Sequence, residues 1–179
     1  MRCSLRVMTL LDRVSALLVD AGIPHALIGA AALAAAGVAR STFDVDLLVL
    51  DGSVLRATAW APLHDEGASI EIRSGDDDDP LRGVVRIEAA AERPVDVIVG
   101  RHQWQARVLE RALRPDTGPP VAAPRDIVLL KLYAGGSQDL WDVRELLQAE
   151  RAERLIADVE TDLVDMPQSM RDRWMTARS

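Results

Sequence analysis

The chain has 179 residues, 49% of them hydrophobic, with a formal net charge of -7. That length and apolar content suit one domain with its own core, while the acidic balance disfavours a protein that coats nucleic acid, because phosphate contacts demand basic surface. A local basic groove is still compatible with it. The one cysteine, Cys3, excludes an intrachain disulfide. No apolar run approaches a membrane span and Met1 to Leu11 lacks the order of a signal peptide, so a soluble, cytoplasmic protein is expected.

Apolar residues Met8, Leu11, Val14, Leu17 or Leu18, and Ala21 recur at helical spacing, which predicts a first helix over Val7 to Ala21, ended by Gly22-Ile23-Pro24. A short strand follows, His25 to Ile28, and Gly29 turns it sharply into the Ala-rich helix Ala30 to Ala36, with Gly37 at its C-cap. Such a turn gathers backbone N–H groups at a helix start, which suits a phosphate. Arg40, Ser41 and Thr42 lead on into a second strand; Arg40 is either a partner for phosphate oxygens or an ordinary exposed loop arginine. In that strand Asp44, Asp46, Leu48 and Leu50 share one face, and Val45, Leu47 and Val49 the other. Two carboxylates side by side repel and lose hydration. They are therefore either solvated at the strand's N-terminal end or neutralised by a hard cation with oxygen ligands.

After the turn Asp51-Gly52-Ser53, Ser53 is placed to cap a helix to about Glu66, with Ala57, Trp60 and Leu63 inward and Pro62 bending it. The period then becomes two, predicting strands over Ser69 to Arg73, Leu81 to Ala89 and Pro94 to Val99. The four consecutive aspartates Asp76 to Asp79 lack the spacing of a calcium loop and suit a solvated turn. Asp96 interrupts a β-branched run on the face of Ile98, so it is expected to be partly buried and to need a partner: it caps a neighbouring loop, pairs with an arginine, or serves catalysis.

A helix over His102 to Leu113, with Trp104, Val108 and Leu109 or Ala112 inward, precedes a Pro/Gly-rich connector, Pro115 to Pro124. This connector is the candidate boundary between a core, 1–114, and a C-terminal helical region, 125–179, packed on it. Asp126 to Tyr133 is a helix holding Lys131, the single lysine beside 20 arginines. That choice suits a position needing a compact point charge. A further helix runs from Gln138 to about Arg151, with Asp139 and Asp142 on one face of its first turns, where carboxylates also complement the helix dipole. Glu153 to Ser179 is charged and helical in pattern, broken near Pro167. His25, His64 and His102 are scattered; the spacing offers no nucleophile-plus-base pair and no zinc set.

Gly29-Ala30 followed by Gly37-Val38-Ala39-Arg40-Ser41-Thr42-Phe43-Asp44-Val45-Asp46 resembles the signature of the DNA polymerase β-like nucleotidyltransferases, in particular their small bacterial AbiEii/MenT-type members. Asp96 follows in the place of the third carboxylate, and Asp126 to Lys131 with Gln138-Asp139 to Asp142 is similar to the later motifs. The resemblance implies an α/β nucleotidyltransferase fold, a mixed twisted sheet of about five strands with helices packed on it, plus C-terminal helices. It further implies Asp44, Asp46 and Asp96 as catalytic ligands of two magnesium ions, and Lys131 on the nucleotide phosphates. Asp139 or Asp142 would orient that lysine or the acceptor. Gly29, Ala30, Arg40, Thr42 and Asp142 would lie on the nucleoside triphosphate side. The expected activity is transfer of a nucleoside monophosphate to a hydroxyl acceptor. That acceptor is RNA or tRNA, as in toxin-type enzymes with an antitoxin partner, or a small molecule such as an aminoglycoside. The chain departs from the family at Ala30, where a glycine or serine is usual, and at Gln138, where a basic residue is. Those departures motivate a third expectation, a catalytically silent binding module.

Overall fold

The computed structural model describes residues 8–38, 43–148 and 152–179. Helix α1, Leu10–Asp20, starts at Thr9, whose hydroxyl accepts from the Asp12 N–H at 3.2 Å while the Asp12 carboxylate accepts from the Thr9 N–H at 3.0 Å. That reciprocal cap satisfies two of the orphan donors of the first turn. Strand β1, His25–Ile28, runs into α2, Gly29–Ala35, and β2 spans Val45–Val49. Strands β3, Ser69–Ser74, β4, Leu81–Glu88, and β5, Val95–Gly100, complete one sheet of order β1-β2-β5-β4-β3. Strands β2 and β5 are parallel and every other pair is antiparallel. The strands lie where the alternating segments predict them, and they form the mixed five-stranded sheet that the resemblance implies.

Period-two alternation sends Val45, Leu47 and Val49 to one face together with Val85, Ile87, Val95, Val97 and Val99. There they are covered by Leu10, Val14 and Leu18 of α1 and by Val54, Trp60 and Leu63. Each such side chain contributes about 1.5–3 kcal/mol when fully buried. The opposite face is covered only in part. Ile28, Leu48 and Ile98 pack against α2 and against α5, Pro124–Ala134, in one cluster with α6, Ser137–Leu147, α7, Ala152–Leu163, and α8, Gln168–Arg178. Two shorter helices, α3, Ala61–Asp65, and α4, Trp104–Glu110, bring the total among the described residues to eight. None of these is long and apolar enough to cross a membrane.

The expected helix from Ser53 to Glu66 is instead two 3-10 turns, Gly52–Leu55 and Ala57–Trp60, followed by α3. Asp51, not Ser53, is the cap, accepting from the Ser53 N–H at 2.8 Å. Trp60 is buried with its indole N–H donating to the Val54 carbonyl at 2.7 Å, so Val54 takes the inward place assigned to Ala57, which is exposed. Pro62 lies in the first turn of α3 and begins that helix, its missing N–H costing nothing there. The connector is bonded to the sheet: the Leu27 N–H donates to Pro120 at 2.7 Å and the Ala122 N–H to Leu27 at 2.9 Å, shielding the free edge of β1. Pro124 opens α5.

An ion cluster ties the C-terminal helices to α4. Arg111 donates to Asp126, which is fully buried, and to Asp162 of α7 at 2.9 Å. Burial pushes the Asp126 carboxyl up, and Arg111 pulls it back. His25 is buried too. Its Nδ1–H donates to the Ile23 carbonyl at 3.1 Å, leaving Nε2 to accept from the Ser15 hydroxyl at 2.7 Å. No sequence pattern points to this serine–histidine contact, which joins α1 to β1.

Two outcomes are expected. Asp126→Ala should cost about 2 kcal/mol in urea unfolding, less than a fully buried pair because Asp162 still faces Arg111. Burial of His25, with Arg114 beside it, holds its pKa below 6.5. The neutral ring is then the folded form, so its stabilising contribution is present above pH 6.5 and is lost as pH falls towards the lowered value. Melting temperatures taken between about pH 7 and pH 5 should therefore fall less in His25→Gln than in the native chain.

Candidate functional site

Strand register lines up one row of side chains across the half-covered face: Ile28 is opposite Asp46, Asp46 opposite Asp96, Asp96 opposite Arg86, and Arg86 opposite Glu71. The helices cover its apolar end, and the charges begin where that cover stops. Asp44, two residues before Asp46, joins the row through Arg86. The Arg86 guanidinium donates to Asp96 Oδ2 at 3.0 Å and to Asp44 Oδ2 at 3.2 Å, both from Nη1, while Nε donates to Glu88 at 2.8 Å. Its Nη2 reaches the second Asp44 oxygen at 3.3 Å. Arg93, from the turn before β5, donates to the carbonyls of Phe43 at 3.3 Å and Asp44 at 3.4 Å and so steadies the entry to β2.

The electrostatics follow from this geometry. Asp96 has only 17% of its side chain exposed, and burial pushes its carboxyl up, opposed by Arg86 and reinforced by Asp44. Arg86 is driven further towards its charged form by Glu88, Asp44 and Asp96. Arg86 is the arginine partner that Asp96 was open to, but no sequence pattern says which arginine it is. The only signal was its place on the polar parity of β4, and that parity names no partner.

Gly29 opens α2 at φ +61°, and a Cβ built on it would lie 2.0 Å from Asp46 Oδ2. Both the backbone and the Asp46 carboxylate therefore require glycine here. Ala30 is buried and presents no polar side chain. Arg40 and Thr42 lie outside the described residues.

The lysine corner is built by the α5–α6 hairpin. Gly135, in the left-handed region at φ +71°, ends α5, and the Asp139 Oδ2 of α6 accepts from the Gly136 N–H at 3.1 Å. Lys131 Nζ donates to Asp139 Oδ1 at 2.7 Å and meets Asp142 Oδ2 at 2.8 Å. Asp142 is fully buried behind it. Asp139 thus serves both the helix start and the lysine. Gly29, Asp46, Ile98, Lys131 and Asp139 line one cavity of about 200 Å³. Asp44 and Asp96 stand beyond it, on Arg86.

Three carboxylates on one sheet face are hard oxygen donors, and their chemistry fits magnesium. As the side chains stand, no group of three acidic, histidine or cysteine residues among the described ones is gathered for a metal, and Arg86 lies between Asp44 and Asp96. Elsewhere, the Asp76 to Asp79 turn is closed on itself, Asp79 accepting from the Asp76 N–H at 2.8 Å and Asp76 from the Asp78 N–H at 3.0 Å.

Neither protein-family models nor curated protein sequences match this chain. Solved structures do. The antibiotic-resistance factor ANT(2'')-Ia in solution superposes with a TM-score of 0.51 at 14% identity, over 91% of this chain and 90% of that one. Its crystal structure in complex with adenylyl-2''-tobramycin gives 0.50 at 16% identity, over 86% and 96%. An antigenic nucleotidyltransferase-like protein from Paracoccidioides brasiliensis gives 0.48 at 17% identity, over 90% of each chain. At these identities the likeness is one of fold: the chain carries the nucleotidyltransferase fold.

Lys131→Met should lower stability by about 2–3 kcal/mol in denaturant unfolding, because it removes the ammonium from a fully buried carboxylate. Adding Asp142→Leu should recover most of that loss. If the double variant is as unstable as the single one, the cost does not come from the ion pair.

Proposed function

We propose that this chain transfers a nucleoside monophosphate from a nucleoside triphosphate to a hydroxyl of a small polycationic acceptor of the aminoglycoside kind, with magnesium held by Asp44, Asp46 and Asp96. One observation carries this reading. Three carboxylates share the uncovered end of the half-covered sheet face, next to a cavity lined by both Lys131 and Asp46. The resemblance of the turn, the paired aspartates and the lysine helix supports it, as does the fold.

Lys131 is the point charge for the triphosphate oxygens, and Asp139 and Asp142 hold it in place. Gly29 keeps the β1–α2 turn clear of a side chain beside Asp46, so its backbone can approach the phosphates. Arg40 and Thr42 are assigned to the same triphosphate by the resemblance alone. Magnesium, when bound, neutralises phosphate charge and makes the acceptor hydroxyl easier to deprotonate. Asp96, whose carboxyl is raised by burial, accepts the hydroxyl proton. The acceptor oxygen then bonds to the α-phosphorus, the bond from that phosphorus to the bridging oxygen breaks, and pyrophosphate leaves.

The acceptor class rests on charge. A net charge of -7, with Glu71 and Glu88 flanking the row, attracts a cation and repels a polyphosphate chain. The complex of ANT(2'')-Ia with adenylyl-2''-tobramycin is consistent with that choice.

Each of the four α-phosphate-labelled triphosphates, supplied with magnesium and either an aminoglycoside panel or total tRNA, tests the proposal. Label should appear on the amino sugar. Asp44→Asn should reduce transfer by roughly a hundredfold or more while leaving the far-ultraviolet circular dichroism unchanged. Label on tRNA instead would point to the toxin-type activity and to an antitoxin partner. No label from folded protein would leave a binding module and overturn the enzyme reading.

A further inference from the structure

Two of the three aspartates proposed as metal ligands, Asp44 and Asp96, already hold a cation between them. Asp46 and Asp96 stand in register on the parallel strands β2 and β5, and Asp44 lies on the same face, so three like charges crowd one edge of the sheet. Arg86 enters that crowd from a third strand, directly across from Asp96. Both of its terminal nitrogens are engaged with Asp44, and Nη1 also bridges to Asp96 at 3.0 Å. A divalent ion taking oxygens from Asp44 and Asp96 would meet a guanidinium bonded to those same carboxylates. The two cations repel at that range, and the aspartate oxygens cannot serve both well.

We infer that Arg86 is the internal counter-cation of this site: it holds Asp44 and Asp96 while no metal is present, and it must release them for a divalent ion to enter. This rests on the reading of the three aspartates as a metal site. Glu88, bonded to Nε at 2.8 Å and lying off the ligand set, keeps the guanidinium at the rim once its terminal nitrogens are free. The groups best suited to take those nitrogens are anionic phosphate oxygens. Metal and triphosphate therefore bind cooperatively: the ion alone has to displace Arg86, whereas the ion arriving with a triphosphate brings Arg86 a new partner.

The paramagnetic resonance signal of free Mn²⁺ reads this directly, without turnover. Mn²⁺ is titrated into the native chain, Arg86→Gln and Asp44→Asn/Asp96→Asn, each with and without a non-hydrolysable ATP analogue, and circular dichroism reports folding. Arg86→Gln should bind Mn²⁺ alone roughly tenfold more tightly than the native chain. The analogue should strengthen Mn²⁺ binding in the native chain and do so much less in the variant. Arg86→Lys, which keeps the charge but cannot fork between two carboxylates, should fall between them and carries the test if the glutamine variant does not fold. Equal or weaker Mn²⁺ binding in both Arg86 variants, with binding abolished in the double aspartate variant, overturns the role of Arg86 and leaves the metal site standing. No binding by any of the chains beyond that double variant overturns the metal site itself, and this inference with it.

Discussion

Carboxylates crowded on one sheet face repel each other, and this protein places three of them, Asp46 and Asp96 in register and Asp44 two residues before Asp46, where its helical cover ends. Along β2 and β5 the next residues on the same face are Leu48 and Ile98, which pack beneath α2 and α5. One strand repeat, about 6.6 Å, separates a dry interior from a charged rim. At the dry end hydrophobic burial holds the sheet to its helices. At the rim the like charges require a cation, and β4 provides Arg86.

The rest of the chain keeps that border in place. Arg173 of α8 donates to the carbonyls of Leu132 and Tyr133, both at 2.8 Å, and so finishes α5 at the turn from which α6 sends Asp139 back to Lys131. Arg111 gathers Asp126 and Asp162, fixing the start of α5 and one face of α7 to the end of α4. These pairs lie in or near the interior, where breaking one costs far more than at an exposed site. They hold the lysine helix at a set distance from the aspartate strand. That distance is what makes a cavity shared by Asp46 and Lys131.

The likeness to ANT(2'')-Ia extends over nine-tenths of the chain at 14% identity, so the architecture is shared while most side chains are not. Function belongs to the site, not to the scaffold. Here the site combines an acidic row, a guanidinium within it, and a point-charge lysine clamped by two further carboxylates. Ala30 is buried and Gln138 is neutral, so neither adds charge to this region. Lys131 and Arg86 are cations that pair directly with its carboxylates.

The sequence by itself determined what depends on local spacing. Alternation placed Asp44 and Asp46 on the face of Leu48 and Asp96 on the face of Ile98, because a strand turns its side chains over at every residue. A three-residue step put Asp139 and Asp142 on one helix face, and apolar and alternating runs marked five strands. The local signals failed in the segment after β2, where one side chain's burial sets the turn. Ser53 has the side chain of a cap, yet Asp51 accepts from the Ser53 N–H, and the buried Trp60 donates to the Val54 carbonyl in the same segment. Only the tertiary structure decided that Arg86 lies opposite Asp96, that Ser15 meets His25, and that the connector closes the β1 edge. Each of these contacts depends on the register or approach of separately folded segments, and the pattern of one segment carries no record of where its neighbour will stop.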